Sequence, residues 1–390
     1  MLDYRKKLIK LLTDKLGYTY EDKRKDRHPK IDAHRMLHGP KVEGLMLLGD
    51  MERINDGEAH YRVDTPCTRM QFVGPSAAIP TPNRNSLTKD EALSRYFELL
   101  LCGWEFSMHK GSLGYDKSKG GDIQYGLVNI IDWNNPRRNS FTVYEGWKGV
   151  KTDNVAWDLI ISVNHIPMAA VMIAPRTGDH RPCEEAYNEM RTQLDADPCL
   201  STYAMFCIIS DGETVLVGGP DDAPEWFFPW DAPESVAKEA ESEGVNPKYL
   251  PFYALLNPET LVRYIYGFVR PIGEEDTIKY AAHSHQYYAA IEAGKHLING
   301  QGRGYAVLPE HEEQIRPYPF DTNLDTTKML FRDYLMLQYD ASQFPSSDEE
   351  EDSEETSVEF VSLPTMQTEQ PEGVCVYRPK QALRSPLNTD

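Results

Sequence analysis

The chain has 390 residues, 40% of them hydrophobic, enough to bury at least one sizeable core and to suggest two units. Its 41 basic and 61 acidic residues leave a net charge of −20, which argues against tight autonomous binding to nucleic acid. No run of about 18 apolar residues offers a membrane span, and the charged start Met1-Leu2-Asp3-Tyr4-Arg5 lacks the apolar segment of a secretory signal.

Tyr4 to Leu16 carries apolar residues at helical spacing, with Gly17 placed as a C-cap. Lys23 to Arg35 is basic and broken by Pro29. His28, Asp32, His34 and His38 cluster there, but their intervals match no metal-ligand pattern, and a solvated loop is the expectation. Pro75, Pro80 and Pro82 mark a boundary before residue 86. Thr88, with Glu91 three residues on, reads as a capping box opening a helix with an apolar stripe through Leu93, Tyr96, Phe97 and Leu100. A Gly-rich turn over 111–121 and strands over Tyr125–Ile131 and Phe141–Tyr144 follow.

The stretch from Lys151 to Thr177 is the most informative. Asp158–Val163 and Met168–Ala174 read as two strands apolar on both faces, joined by a turn at Asn164–Pro167. Next come an amphipathic helix over Cys183–Leu194, with Glu184 and Glu185 in its first turn, and a buried strand over Tyr203–Ser210. A turn at Asp211-Gly212, a strand over Thr214–Val217 and an aromatic loop from Pro220 to Pro233 complete this part. The order of helices and strands implies an α/β unit with a mixed central sheet. Helices are expected over Glu234–Glu243, Asn257–Phe268 and His283–Ile298, the last ended by Gly300, Gly302 and Gly304. From about Ser342 the chain is acidic, then rich in Pro, Thr and Gln, and is expected to be disordered. The six cysteines show no CxxC spacing and suit reduced thiols in a cytoplasmic protein.

Several patterns between Leu87 and Gln301 occur in one order and resemble the restriction (R) subunit of type I restriction–modification enzymes. Ile131-Asp132-Trp133-Asn134-Asn135-Pro136 through Phe141 is similar to that family's L-I-D-F-x-N-P-x-x-N-x-F. Asp158 through Pro167 is similar to its D-I-V-L-F-V-N-G-L-P, with His165 where glycine is usual. Glu185-Ala186-Tyr187-Asn188, Ser210-Asp211-Gly212 and Phe228-Pro229-Trp230 continue the series. His285-Gln286-Tyr287 resembles the glutamine motif that precedes a helicase P-loop.

The resemblance implies a PD-(D/E)xK nuclease core, a mixed sheet flanked by helices, ahead of RecA-like motor domains. It suggests an N-terminal helical or irregular segment at 1–85, the nuclease-like core at 86–235 and a helical linker like the start of a motor at 236–310. An irregular to disordered acidic tail would occupy 311–390. The family's metal-binding aspartate corresponds to Asp158, preceded by Trp157 where proline is normal. The Glu and Lys of its E-x-K pair correspond to Met172 and Ala174. Its Q-x-x-x-Y motif falls on Glu189 and Gln193, both changed. No G-x-x-x-x-G-K-[ST] follows Gly304, so the chain reads as stopping short of the motor, and ATP is not an expected ligand.

Cutting a phosphodiester with magnesium needs at least two carboxylates and a nearby cation. Neither methionine nor alanine supplies either, and losing one metal carboxylate costs on the order of 10³ in rate. The leading expectation is therefore a degraded, inactive nuclease site with no cofactor. Asp158 reads equally well as a vestigial ligand or as a turn or cap residue. A relocated magnesium site using Asp158, Glu185 or Glu189, and Arg176 is the active alternative, with Asp179 and Glu184 nearby. Another alternative is an interaction or decoy protein that binds restriction–modification subunits, or mimics DNA through the acidic run Asp348–Glu355. Gln286 would be a vestigial adenine contact or, more simply, a surface helix residue. Trp226 to Trp230 could stack bases, but packing over a sheet edge is the expected role.

Overall fold

The computed structural model describes residues 2–25, 53–55, 88–110, 121–147, 157–174, 182–272, 278–298, 303–308, 357–362 and 375–377. Helix α1 (Leu2–Asp14) buries Leu8, Leu11 and Leu12, one stripe at helical spacing. It ends before Gly17, whose φ of +75° turns the chain so that the Tyr18 N–H reaches the Leu12 carbonyl. Strand β1 (Thr19–Asp22) and a 3-10 turn at Lys23–Lys25 follow. Helix α2 (Lys89–Cys102) has the expected reciprocal capping box between Thr88 and Glu91, and buries Leu93, Tyr96, Phe97 and Leu100. A two-stranded antiparallel sheet is formed by β2 (Trp104–His109) and β3 (Ile123–Val128).

The core is a seven-stranded mixed sheet in the order β1-β4-β5-β6-β7-β8-β9. Its members are β4 (Phe141–Trp147), β5 (Trp157–Val163), β6 (Ile166–Ile173), β7 (Phe206–Ser210), β8 (Val215–Gly218) and β9 (Phe228–Pro229). β1 runs parallel to β4 and β6 parallel to β7, while the other neighbours are antiparallel. The α/β class with a mixed sheet is thus as expected. Every residue of β6 is buried, as its unbroken apolar run requires.

The hairpin turn is tighter than its sequence suggested. It consists of Asn164 and His165 at φ of +49° and +62°, and Ile166 and Pro167 already belong to β6. Asn164 also anchors the loop before β4. Its Nδ2 donates to the Ile130 carbonyl and to Asn139 Oδ1, each at 2.8 Å, and its Oδ1 accepts the Ser140 N–H at 2.8 Å. Asn139 in turn accepts the Asp132 N–H and donates to the carbonyls of Asp132 and Pro136. The Asp132–Phe141 motif is therefore a brace that fixes the entry of β4.

Helix α3 (Pro182–Ala196) crosses between the parallel strands β6 and β7. The strand expected from Tyr203 begins only at Phe206, because a short helix α4 (Pro198–Tyr203), capped by Asp197, takes the preceding residues. Helices α5 (Glu234–Ser242), α6 (Leu250–Leu256) and α7 (Pro258–Phe268) follow. The hairpin of β10 (Val269–Ile272) and β11 (Ile278–Ala281) then leads into helix α8 (Ser284–Ile298). Lys279 of β11 is buried, and its Nζ donates to the carbonyls of Ser201, Thr202 and Ala204 at 2.5–2.6 Å, closing the C-terminal end of α4.

A strand β12 (Arg303–Leu308) lies between β13 (Ser357–Ser362) and β14 (Cys375–Tyr377), parallel to both. At those residues the expectation of a structureless tail is corrected, since backbone pairing with β12 gives them partners. The acidic run at 348–355 and the cluster of His28, Asp32, His34 and His38 lie outside the described residues. No described helix is long and apolar enough to cross a membrane.

Candidate functional site

Asp158 is the second residue of β5 and sits in a strand, not in a turn or at a helix cap. The β5–β6 register pairs Leu159 with Val171, and continuing it sets Asp158 opposite Met172. Met172 is 3% exposed and Ala174, just past β6, is 1% exposed. A thioether therefore stands opposite the aspartate, and neither it nor the methyl group of Ala174 ligates magnesium.

Both oxygens of Asp158 are engaged. Oδ2 accepts the Ile173 N–H at 2.7 Å, and Oδ1 accepts Nη1 of Arg5 from helix α1 at 2.6 Å. The same guanidinium meets a second carboxylate, with Arg5 Nε 2.9 Å from Oε1 of Glu145 on β4. Glu145 is 4% exposed, and its Oε2 accepts from Tyr20 Oη at 2.5 Å and from Arg24 Nη2 at 2.8 Å. Arg24 is held in turn by a two-point contact with Asp22. Burial, and then Glu145, push the Tyr20 phenol up to about 12, so it remains a proton donor. Three residues from the first 25, Arg5, Tyr20 and Arg24, thus converge on two acids from β4 and β5.

The fit to magnesium is poor. Among the described residues no three His, Cys, Asp or Glu side chains converge to hold a metal ion. The two carboxylates closest to such a role are each paired with guanidinium groups.

Glu189 is exposed on α3, and its pKa is raised, first by partial burial and then by the charge of Asp158. Glu185 is exposed in the first turn of the same helix. Gln193, one turn beyond Glu189, is buried. Arg176 and Asp179 lie outside the described residues.

Gln286 is not the surface residue it was expected to be. It is 1% exposed, and its Oε1 accepts from Tyr280 Oη at 2.8 Å and from the His283 N–H at 2.9 Å. It closes the first turn of α8 as the glutamine of a capping box does. The aromatic loop packs as expected, with Phe227, Phe228 and Trp230 buried. Phe228 lies against His283 at 4.0 Å, and Trp230 meets the edge of Tyr264 at 5.1 Å.

Sequence reasoning missed Glu145 and Arg5. Two signals were available. Glu145 is a lone acid in the otherwise apolar run Phe141–Trp147, and Arg5 stands at i−3 and i−7 from Leu8 and Leu12, on the inner side of α1.

The model of the family described as type I restriction enzyme R protein N terminus matches residues 2–226. The chain is 24% identical over 222 residues to the type I restriction enzyme HindI endonuclease subunit of Haemophilus influenzae, covering 55% of this chain and 21% of that one. It is 27% identical over 150 residues to the putative type I restriction enzyme MjaIXP endonuclease subunit of Methanocaldococcus jannaschii, covering 36% of this chain and 13% of that one. The similarity therefore spans about a fifth or less of either relative's length.

Proposed function

The chain belongs to the type I restriction enzyme R protein N-terminal family, and we propose that it keeps the scaffold of a PD-(D/E)xK nuclease without the means to cut. The single observation that carries this reading is the surroundings of Asp158. One oxygen is held by a backbone N–H and the other by Arg5, with Met172 set opposite on β6. The order α2, β4-β5-β6, α3, β7, with a parallel β6–β7 pair, supports the nuclease-type core. Magnesium binds tightly only to several oxygens in octahedral geometry, and one committed carboxylate does not provide them. Such a chain binds rather than severs, with DNA or restriction–modification subunits as its partners.

The expectation is tested by incubating supercoiled plasmid with the full chain and Mg²⁺ or Mn²⁺. No nicking or linearisation should appear. Metal-dependent cleavage that Asp158→Ala abolishes would overturn the reading. Subunit binding is tested by pull-down with methyltransferase and specificity subunits.

A second reading is favoured by Glu189, whose pKa responds to Asp158. In it, Glu189 takes over the role of the missing strand acid and an active site persists at the α3–β5 junction. Manganese-dependent cleavage lost in Glu189→Gln as well as in Asp158→Ala would select it. Nucleotide binding is not part of either reading, because Gln286 already spends its carbonyl oxygen on Tyr280 and His283.

A further inference from the structure

We propose that Arg5 is a built-in plug, a cation on helix α1 that bridges Asp158 and Glu145 and shuts divalent ions out. This rests on the non-cutting reading above and adds what keeps the place closed. The argument begins with charge. Two carboxylates side by side repel unless a cation is shared between them. Arg5 meets both, at 2.6 Å and 2.9 Å, and Arg24 brings a second positive charge to Glu145 at 2.8 Å. Because Arg24 also grips Asp22, two guanidinium groups face three carboxylates, and Arg5 is the one cation that Asp158 and Glu145 share.

A guanidinium presents its donors in a fixed, planar fork, so one side chain can meet two carboxylates at once. Packing then holds α1 in place. Leu8 and Leu12 are buried, Tyr4 stacks on Tyr249 at 4.8 Å, and Tyr18 Oη donates to the Leu256 carbonyl at 2.8 Å. The plug is thus delivered by a helix anchored on both sides, and its removal leaves Asp158 without its cation while Glu145 keeps Arg24.

The test uses the full chain and its thermal midpoint in chelator, MgCl₂ or MnCl₂. The wild type should show no metal-dependent shift. Arg5→Ala should melt about 5 °C lower in chelator, and millimolar Mn²⁺ should restore at least half of that loss. Adding Asp158→Asn to Arg5→Ala should erase the Mn²⁺ response. Arg5→Gln, which keeps hydrogen-bond donors while dropping the charge, serves if Arg5→Ala does not fold, and should show the same response. The proposal falls if the wild type is itself stabilised by Mn²⁺ through Asp158, or if neither Arg5 variant acquires a Mn²⁺ response. DNA is absent from this experiment, so its outcome is separate from the cleavage assay that tests the non-cutting reading.

Discussion

The side chain of Arg24 runs directly across the backbone of Gly146, so that a Cβ on Gly146 would overlap Arg24 Cγ. Gly146 has φ of +71° and follows Glu145, the acid that Arg24 pairs with. The glycine is needed twice, for its backbone conformation and for the space it leaves. Gly146→Ala is expected to cost about 1–3 kcal/mol through strain and overpacking, read as a lower urea midpoint. An unchanged midpoint would show that Arg24 swings clear without cost.

Asn164 should be more sensitive than its place in a turn suggests. Replacing it by Ala removes the acceptor of the Ser140 N–H and the donor to the Ile130 carbonyl, and gives φ of +49° to a residue that tolerates the left-handed region less well than asparagine does. The expected loss is about 3 kcal/mol. Asn164→Asp still accepts from Ser140 but no longer donates to Ile130 or Asn139, and should retain less stability than wild type and more than the alanine variant. Denaturant titration of the three proteins orders them.

Lys279 gives a pH signature. Burial pushes its ammonium down to about 7, with Asp221 acting in the opposite direction. In the unfolded chain a lysine titrates near about 10.4. Between those values the folded state binds fewer protons than the unfolded one, so this group's contribution to stability rises with pH across that window. The slope reaches at most about 1.4 kcal/mol per pH unit. Below pH 7 it should be flat. Lys279→Met should remove the rise, as the difference between the two urea-midpoint profiles over pH 6–10 will show.

Gln286 is expected to behave as a structural acceptor. Gln286→Leu strands Tyr280 Oη and the His283 N–H in a buried place and should cost about 1–3 kcal/mol. Gln286→Glu keeps an acceptor for both and should cost less. Calorimetric melting separates them. Equal loss in both would mean that the amide nitrogen, not the oxygen, matters.

Elements whose signal is local were legible in the sequence. The capping box at Thr88, the hairpin around Asn164, the crossover helix α3 and the Pro258 start of α7 all appear with small shifts. Helix α4 was hidden because its six residues run into an apolar stretch that also suits a strand. β10 and β11 are four residues each, too short to show alternation. Asp158 was legible as a candidate, and its partners were not. Arg5 is 153 positions away, and nothing in local periodicity links a helix arginine to a strand acid. Gln286 was misplaced because a motif gives residue types and leaves burial to the tertiary packing.

The separation of Tyr18 from Leu256 by 238 positions has a bearing on biosynthesis. At about 5–20 residues per second, the Tyr18 hydroxyl waits on the order of ten to fifty seconds before the Leu256 carbonyl is made. Throughout that interval the clasp between Tyr18 and the helix ending at Leu256 is open, and the segment relies on earlier partners such as Glu145 and Asp158. Slowed elongation between the codons for Leu16 and Leu256 should therefore lower the soluble yield of this protein before it alters anything in the finished molecule.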